Sequence, residues 1–308
     1  MKAFLLKKTV TFFFSLWAAG SLVFLLAHTI PGDPVVALLG KMPSSEDVMR
    51  LNRSLKLDQP LAEQYAHFAK KLFLLDLGES IIDRKPVVNT IMKYFPNTAI
   101  LAVTAMLMSI LISFPLGILA ALKKDSVWNT ISMVISAIGL AVPGFLLGIF
   151  LIIIFSVRLK FLPISGSGGF TYLVLPAATL TISLSASLTR IIHAAVSGEI
   201  GQPYVILAKS KGLSEFQIFF RHILKNAMVP ITTIMGLQLG ALLSGTIVIE
   251  NVFSWPGIGT LLITAIRQRD IPMIQGVALF MTALYLLLNL LVDLSYPFID
   301  PRIRHDPF

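Results

Sequence analysis

The chain has 308 residues, 56% of them hydrophobic and only 13% charged, whereas a soluble domain is ~45–50% apolar and ~25% charged. Together with a mean hydropathy of +0.82, this excludes an ordinary soluble fold and points to an integral membrane protein. The absence of cysteine excludes disulfides, thiolate catalysis and thiolate metal sites. The net charge of +9 is too sparse for a nucleic-acid partner and suits basic flanks that orient helices against anionic lipid.

Six apolar segments are long enough to cross a bilayer, predicting an all-α membrane protein with six transmembrane helices. The first runs from Thr9 to His28, behind Met1-Lys-Ala-Phe-Leu-Leu-Lys-Lys8. A signal peptide has a shorter apolar core of ~7–15 residues and a small-residue cleavage site. Here the apolar run is about 20 residues, enough for ~30 Å, and reads as a retained first helix. Residues 1–30 therefore form an N-terminal region with one span. Residues 31–96 form an extracytoplasmic loop domain that opens on the turn Pro31-Gly-Asp-Pro34. Ser44-Ser-Glu-Asp47 supplies a helix cap, and Leu61, Tyr65, Phe68 and Leu72 recur at helical spacing, so short helices are expected there.

Residues 97–308 form the core, with spans at Asn97–Leu122, Val127–Val157, Tyr172–Val196, Val229–Glu250 and Pro272–Tyr296. Breakers interrupt several of them: Pro115 and Gly117, Pro143-Gly144 and Gly148, and Pro176. In transporter helices such residues are tolerated where neighbours or cavity water satisfy the freed carbonyls. Lys2, Lys7, Lys8, Lys123, Lys124, Lys209, Lys211, Arg221, Lys225, Arg302 and Arg304 all fall on one side of an even number of spans, against Arg158, Lys160, Arg267 and Arg269 on the other. The balance predicts that both termini are cytoplasmic.

The most informative stretch is the basic island between the fourth and fifth spans, about 199–226. Ala208 is followed, past Lys211, by Gly212, which can end a short helix in a left-handed conformation. Leu213 comes next, and Ser214-Glu215-Phe216-Gln217 then reads as a capping box. The predicted form is helix, glycine turn, helix, with Phe216, Phe219 and Phe220 presenting aromatic surface beside Lys and Arg. Such a surface suits either a docking partner or a bilayer surface with the rings among headgroups.

The order of these residues resembles the cytoplasmic coupling segment of ABC importer permeases. The generic Glu-Ala-Ala of that segment reads Ile206-Leu207-Ala208 here, and its Leu-Pro reads Leu224-Lys225. Lys211-Gly-Leu-Ser-Glu215 and Arg221-His-Ile-Leu-Lys-Asn-Ala227 are similar to one branch, the dipeptide, oligopeptide and nickel permeases. Leu57-Asp-Gln-Pro60, Arg84-Lys-Pro-Val87, Ile249-Glu-Asn-Val-Phe-Ser-Trp-Pro-Gly-Ile-Gly259, Arg269-Asp-Ile-Pro272 and Asp300-Pro-Arg-Ile-Arg304 extend the likeness, to the first-permease branch, over almost the whole chain. The resemblance implies a type I importer permease fold. It also implies a second homologous permease, two cytoplasmic ABC ATPases, an extracytoplasmic solute-binding protein, and ATP and Mg held by the ATPases rather than by this chain. Ala208, Lys211, Gly212, Leu213, Ser214, Glu215, Phe216 and Phe219 would form the ATPase-coupling surface.

An outer re-entrant loop at about 251–270 is expected to gate the pore or act as its scaffold, with Glu250, Phe253, Trp255, Pro256 and Gly257 as its key residues. The plainer alternative makes Trp255 an interfacial anchor and Glu250 a helix-end carboxylate. Asp293 is the one clear intramembrane acid; Arg190 or His193 is a candidate partner, against simple snorkelling to the interface. His28, His193 and His222 are scattered over different spans, which does not suit a metal site. No phosphate-cradling loop and no H-E-x-x-H occurs, so no catalytic set is expected. The expected function is peptide import by an ABC system, with nickel or metal-chelate import as the alternative within the family. An ATP-independent secondary transporter is more distant, since internal repeats and mid-membrane acids are missing.

Overall fold

The computed structural model describes residues 2–29, 59–74 and 76–299. The expected features at Pro31–Pro34, Ser44–Asp47 and Asp300–Arg304 lie outside them. Helix α1 spans Lys2–Thr29 and α2 spans Leu61–Phe73. The expected stripe on α2 is what seats it. The rings of Tyr65 and Phe68 lie 5.4 and 5.3 Å from that of Phe24 on α1, and the hydroxyls of Tyr65 and Ser21 are 2.7 Å apart.

Helix α3 runs from Val87 to Leu122. It starts ten residues before the expected Asn97, because Pro86 precedes its first turn and Pro96 is carried inside it. Pro115 and Gly117 do not break it either. Gly117 is there for close packing. A Cβ at this position would sit 2.8 Å from Ile192 Cβ and 2.9 Å from the Thr189 carbonyl oxygen, so its absence brings α3 against helix α6, Phe170–Ile200. Leu188, Ile192 and Val196 of α6 are fully buried with Ala102 and Met106 of α3 in the main core.

The third expected span is two helices, α4 at Val127–Ala141 and α5 at Gly144–Leu151, the latter continued by a π-helical turn to Arg158. The pair is bent by 98°. Val142 is extended ahead of Pro143 (φ −88°, ψ 122°), the conformation a proline forces on its predecessor. Among the described residues, five helices are thus long and apolar enough to cross a membrane, or six if the bent pair counts as one span.

After α6 come α7 (Pro203–Ser210), α8 (Glu215–Ile218), a π-helical turn (Phe219–Ile223) and α9 (Leu224–Leu243). Residues 215–243 together form one span-length helical segment. It stops at Leu243, short of the expected Glu250, where Gly245 takes φ +118°. Glu250 belongs instead to a separate short helix, α10 (Ile247–Val252), followed by α11 (Ile258–Gln268) and α12 (Ile271–Ile299). Asp293 on α12 meets Lys8 of α1 at 2.6 Å. The expected partners do not engage it: Arg190 is exposed, and His193 Nε2 is buried without a partner. The bundle thus has two functional ends, a foot end at residues 201–223 and a hairpin end at residues 244–270.

Candidate functional site

At the foot end, the chain leaves α6 at Ile200 and turns through Gly201-Gln202 into α7, whose first residue is Pro203. α7 is pinned from beneath by Val205 and Ala208, 1% and 6% exposed, which pack into the main core. The Tyr204 hydroxyl donates to the Glu199 carboxylate. The helix ends at Lys211-Gly212, and Gly212 adopts φ +77° with open space around its Cα. Ser214 then caps α8 with both halves of the box formed: the Gln217 amide donates to Ser214 Oγ at 3.4 Å, and the Ser214 amide donates to Gln217 Oε1 at 3.3 Å.

These local devices fix what faces outward. Lys211, Gly212, Leu213, Ser214, Glu215 and Phe216 are exposed. Phe216, at 71% exposure, packs its ring 4.5 Å from that of Phe220, itself exposed. Two of the expected surface residues turn the other way: Ala208 is buried, and Phe219 is half-buried against the core. On α7 the outward positions are Ile206 and Leu207, which the reading of Ala208 as the contact residue missed. They were legible as apolar neighbours of a buried alanine on a short helix, where one face must point away.

At the hairpin end, the centre is Glu250, which is fully buried. Its Oε1 accepts from Thr98 Oγ of α3 at 2.8 Å, and its Oε2 accepts from the amides of Gly259 at 2.7 Å and Thr260 at 3.1 Å. Burial raises the Glu250 carboxyl above its ordinary range, against the pull of the Thr98, Thr260 and Gly259 donors. Thr98 Oγ in turn accepts the Ile258 amide at 2.8 Å. The Asn97 side-chain amide donates to the Pro256 carbonyl at 2.8 Å, and the Trp255 indole donates to the Asn97 carbonyl at 3.0 Å. Trp255 is 6% exposed and buried among Leu101, Leu173 and Ala177. Its surroundings are those of a core side chain rather than an interfacial anchor. Phe253, also buried, accepts the Gly166 amide on its carbonyl at 2.9 Å.

The glycines of this turn are dictated by the carboxylate. A Cβ on Gly257 would lie 2.4 Å from Glu250 Cδ, and one on Gly259 would lie 2.6 Å from Ile247 Cα. The Pro-Gly-Ile-Gly sequence after Trp255 thus closes the backbone around one acid. A second buried carboxylate went unread in the sequence. Asp270, 2% exposed, accepts from Ser80 Oγ at 2.5 Å and from the Ile81 amide at 3.2 Å, and it caps α12 through the Met273 amide at 3.3 Å. An Asp directly before Ile-Pro at a helix start signals the cap; its partner, 190 residues away, leaves no local signal.

Residues 113–305 match the family described as the binding-protein-dependent transport system inner membrane component, and residues 1–102 match the N-terminal region of such membrane components. The chain belongs to this family of ABC importer permeases. It is a multi-pass inner-membrane permease subunit. The permease is 36% identical over 305 residues to the glutathione transport system permease protein GsiC of Shigella flexneri serotype 5b (strain 8401), covering 99% of this chain and 100% of that protein. The same figures hold for GsiC of Escherichia coli O6:H1. In fold, the permease resembles a chain of the MetNI methionine ABC transporter in inward-facing form (TM-score 0.55, 14% identity, 69% of this chain and 97% of that one). It also resembles a chain of an amino acid ABC transporter with histidines (TM-score 0.51, 17% identity, 70% and 94%).

Proposed function

We propose that this permease lines the pore of an importer that carries small peptides, glutathione among them, into the cytoplasm. ATP and Mg are bound on two separate cytoplasmic ATPase subunits. A second homologous permease completes the pore, and an extracytoplasmic binding protein delivers the solute. The foot is cytoplasmic, as the basic residues beside it favour: Lys123, Lys124, Lys209, Lys211, Arg221 and Lys225.

One observation carries the reading. The foot holds Leu213, Phe216 and Phe220 out of the bundle on a frame stiffened by a left-handed glycine and a completed capping box. Exposed aromatics on a preorganised frame are what a partner groove buries most profitably. Because residues 215–243 are one helical segment, a push on Phe216 moves α9 as a rod. ATP-driven closure of the ATPases then biases a two-state pore through rigid-body motion. The peptide cargo is supported by end-to-end similarity to relatives named for glutathione transport.

The test is uptake by the assembled complex in proteoliposomes with labelled glutathione and a labelled dipeptide. Uptake that needs both ATP and the binding protein, and that a dipeptide competes, is the expected result. Accumulation without the ATPase subunits overturns the importer reading. Uptake of a nickel chelate with none of either peptide overturns the cargo.

A further inference from the structure

The outer hairpin formed by α10 and α11 is bracketed by two buried carboxylates, Glu250 at its start and Asp270 at its end. Among the described residues neither has a basic partner within 4.0 Å. Each spends its acceptors on hydroxyl and amide donors, and for each the hydroxyl comes from one stretch remote in sequence: Ser80 for Asp270 and Thr98 for Glu250. Asn97 and Trp255 add two further bonds between that stretch and the hairpin. By contrast, the hairpin's covalent link to α9 passes through Ser244-Gly245-Thr246, where Gly245 at φ +118° ends the helical ladder: the Ser244 amide still donates to the Gly240 carbonyl at 2.9 Å, but the Gly245 amide donates in a tighter turn to the Leu242 carbonyl at 3.1 Å.

We propose that Glu250 and Asp270 are positioning residues that fasten the 251–269 hairpin to residues 80–98, so that the hairpin and the outer third of α3 move as one body when the pore opens. A buried carboxylate without a counter-ion is costly and would be replaced by an apolar side chain if filling space were its only task. Its value lies in reading several fixed donors at once, which an apolar residue does not do. On this view the hairpin is carried by α3, and Gly245 is the hinge that decouples it from α9. This deepens the importer reading and rests on it for the meaning of opening, although the fastening itself is measurable without transport.

The chain contains no cysteine, so paired spin labels can be placed at Lys85→Cys and Gln268→Cys, both exposed; Lys85 meets the network only through its backbone carbonyl, which accepts from the Ser80 amide and is kept in the variant. In the resting complex a single narrow distance distribution is expected. It should survive Glu250→Gln with Asp270→Asn and broaden in Glu250→Ala with Asp270→Ala. In the vanadate-trapped complex the wild-type distance should stay where it was. A shift of more than about 5 Å, the rise of one helical turn, overturns the one-body proposal, as does an unbroadened distribution in the double alanine variant. If the complex hydrolyses no ATP, the importer reading fails instead, and the resting-state comparison still decides the fastening. A purely space-filling role predicts equal behaviour of the amide and alanine variants once both are folded. As a functional readout, the alanine pair should keep ATP hydrolysis while losing at least about tenfold in uptake per ATP, a ratio that loss of folded protein leaves unchanged.

Discussion

At the scale of single residues, Glu250 and Gly212 show how one position is fixed by different physics. Glu250→Ala strands the Thr98 hydroxyl and the Gly259 and Thr260 amides in a buried site, and each stranded donor costs about 1–3 kcal/mol. A loss of about 3 kcal/mol or more is expected, read as a lowered midpoint of thermal unfolding of the purified complex. Glu250→Gln keeps one oxygen to accept from the two amides and exchanges the acceptor of the Thr98 hydroxyl for an NH2 that can donate to Thr98 Oγ, while removing a charge that burial already disfavours; it should cost about 1 kcal/mol. Equal losses for the two variants would contradict the hydrogen-bonded account. Gly212 has no neighbour that an added Cβ would strike, so Gly212→Ala tests conformation alone. At φ +77° it should cost about 1 kcal/mol, and Gly212→Asn should recover part of that, because Asn tolerates the left-handed region.

At the scale of elements, the sequence was legible where the cause of a structure is local. The capping box of Ser214 and Gln217, the glycine turn before it, and the stripe of Tyr65 and Phe68 on α2 all depend on neighbours within a few residues, and all are found. What depends on distant partners was not legible. Pro115 and Gly117 read as breakers, yet the long apolar helix absorbs the proline and uses the glycine to approach Ile192. Pro143 read as one interruption among several, yet here the helix turns by 98°, because Pro143 holds Val142 in the extended conformation. Phe219 read as surface with Phe216 and Phe220, but the π-helical turn at 219–223 shifts its register and rolls it toward the core. The element-scale consequence concerns the turn at 253–260. Gly259→Ala places a methyl 2.6 Å from Ile247 Cα, which is backbone and does not yield. It should destabilise by about 1–3 kcal/mol through overpacking. Gly198→Ala, whose Cβ meets nothing, should stabilise slightly or leave the unfolding midpoint unchanged, since alanine is the better helix former.

At the scale of the whole molecule, the foot and the hairpin are two ends of one mechanical element, and their failures should look different. α6 and the 215–243 segment run the length of the bundle, and their packing against α3 and α12 leaves little room for them to bend independently. A fault at the foot should therefore act before force enters the bundle. Phe216→Asp with Phe220→Asp removes two exposed rings that pack on each other, the second also meeting the half-buried Phe219 edge-on, and leaves the fully buried core residues in place. The variant should insert and pair with its partner permease normally. Loss of two aromatic anchors from a docked surface is worth at least about 2 kcal/mol each, so ATPase co-purification should fall by more than about a hundredfold in affinity. Trp255→Ala acts at the far end, inside the bundle. It leaves the foot intact and should retain the ATPases while abolishing uptake, because the turn loses its indole bond to Asn97 and the packing of the ring among Leu101, Leu173 and Ala177. If Trp255→Ala instead sheds the ATPases, or if the foot variant keeps them, then force does not travel along the bundle in the order foot, α9, α3, hairpin, and the two ends are not parts of one transmission.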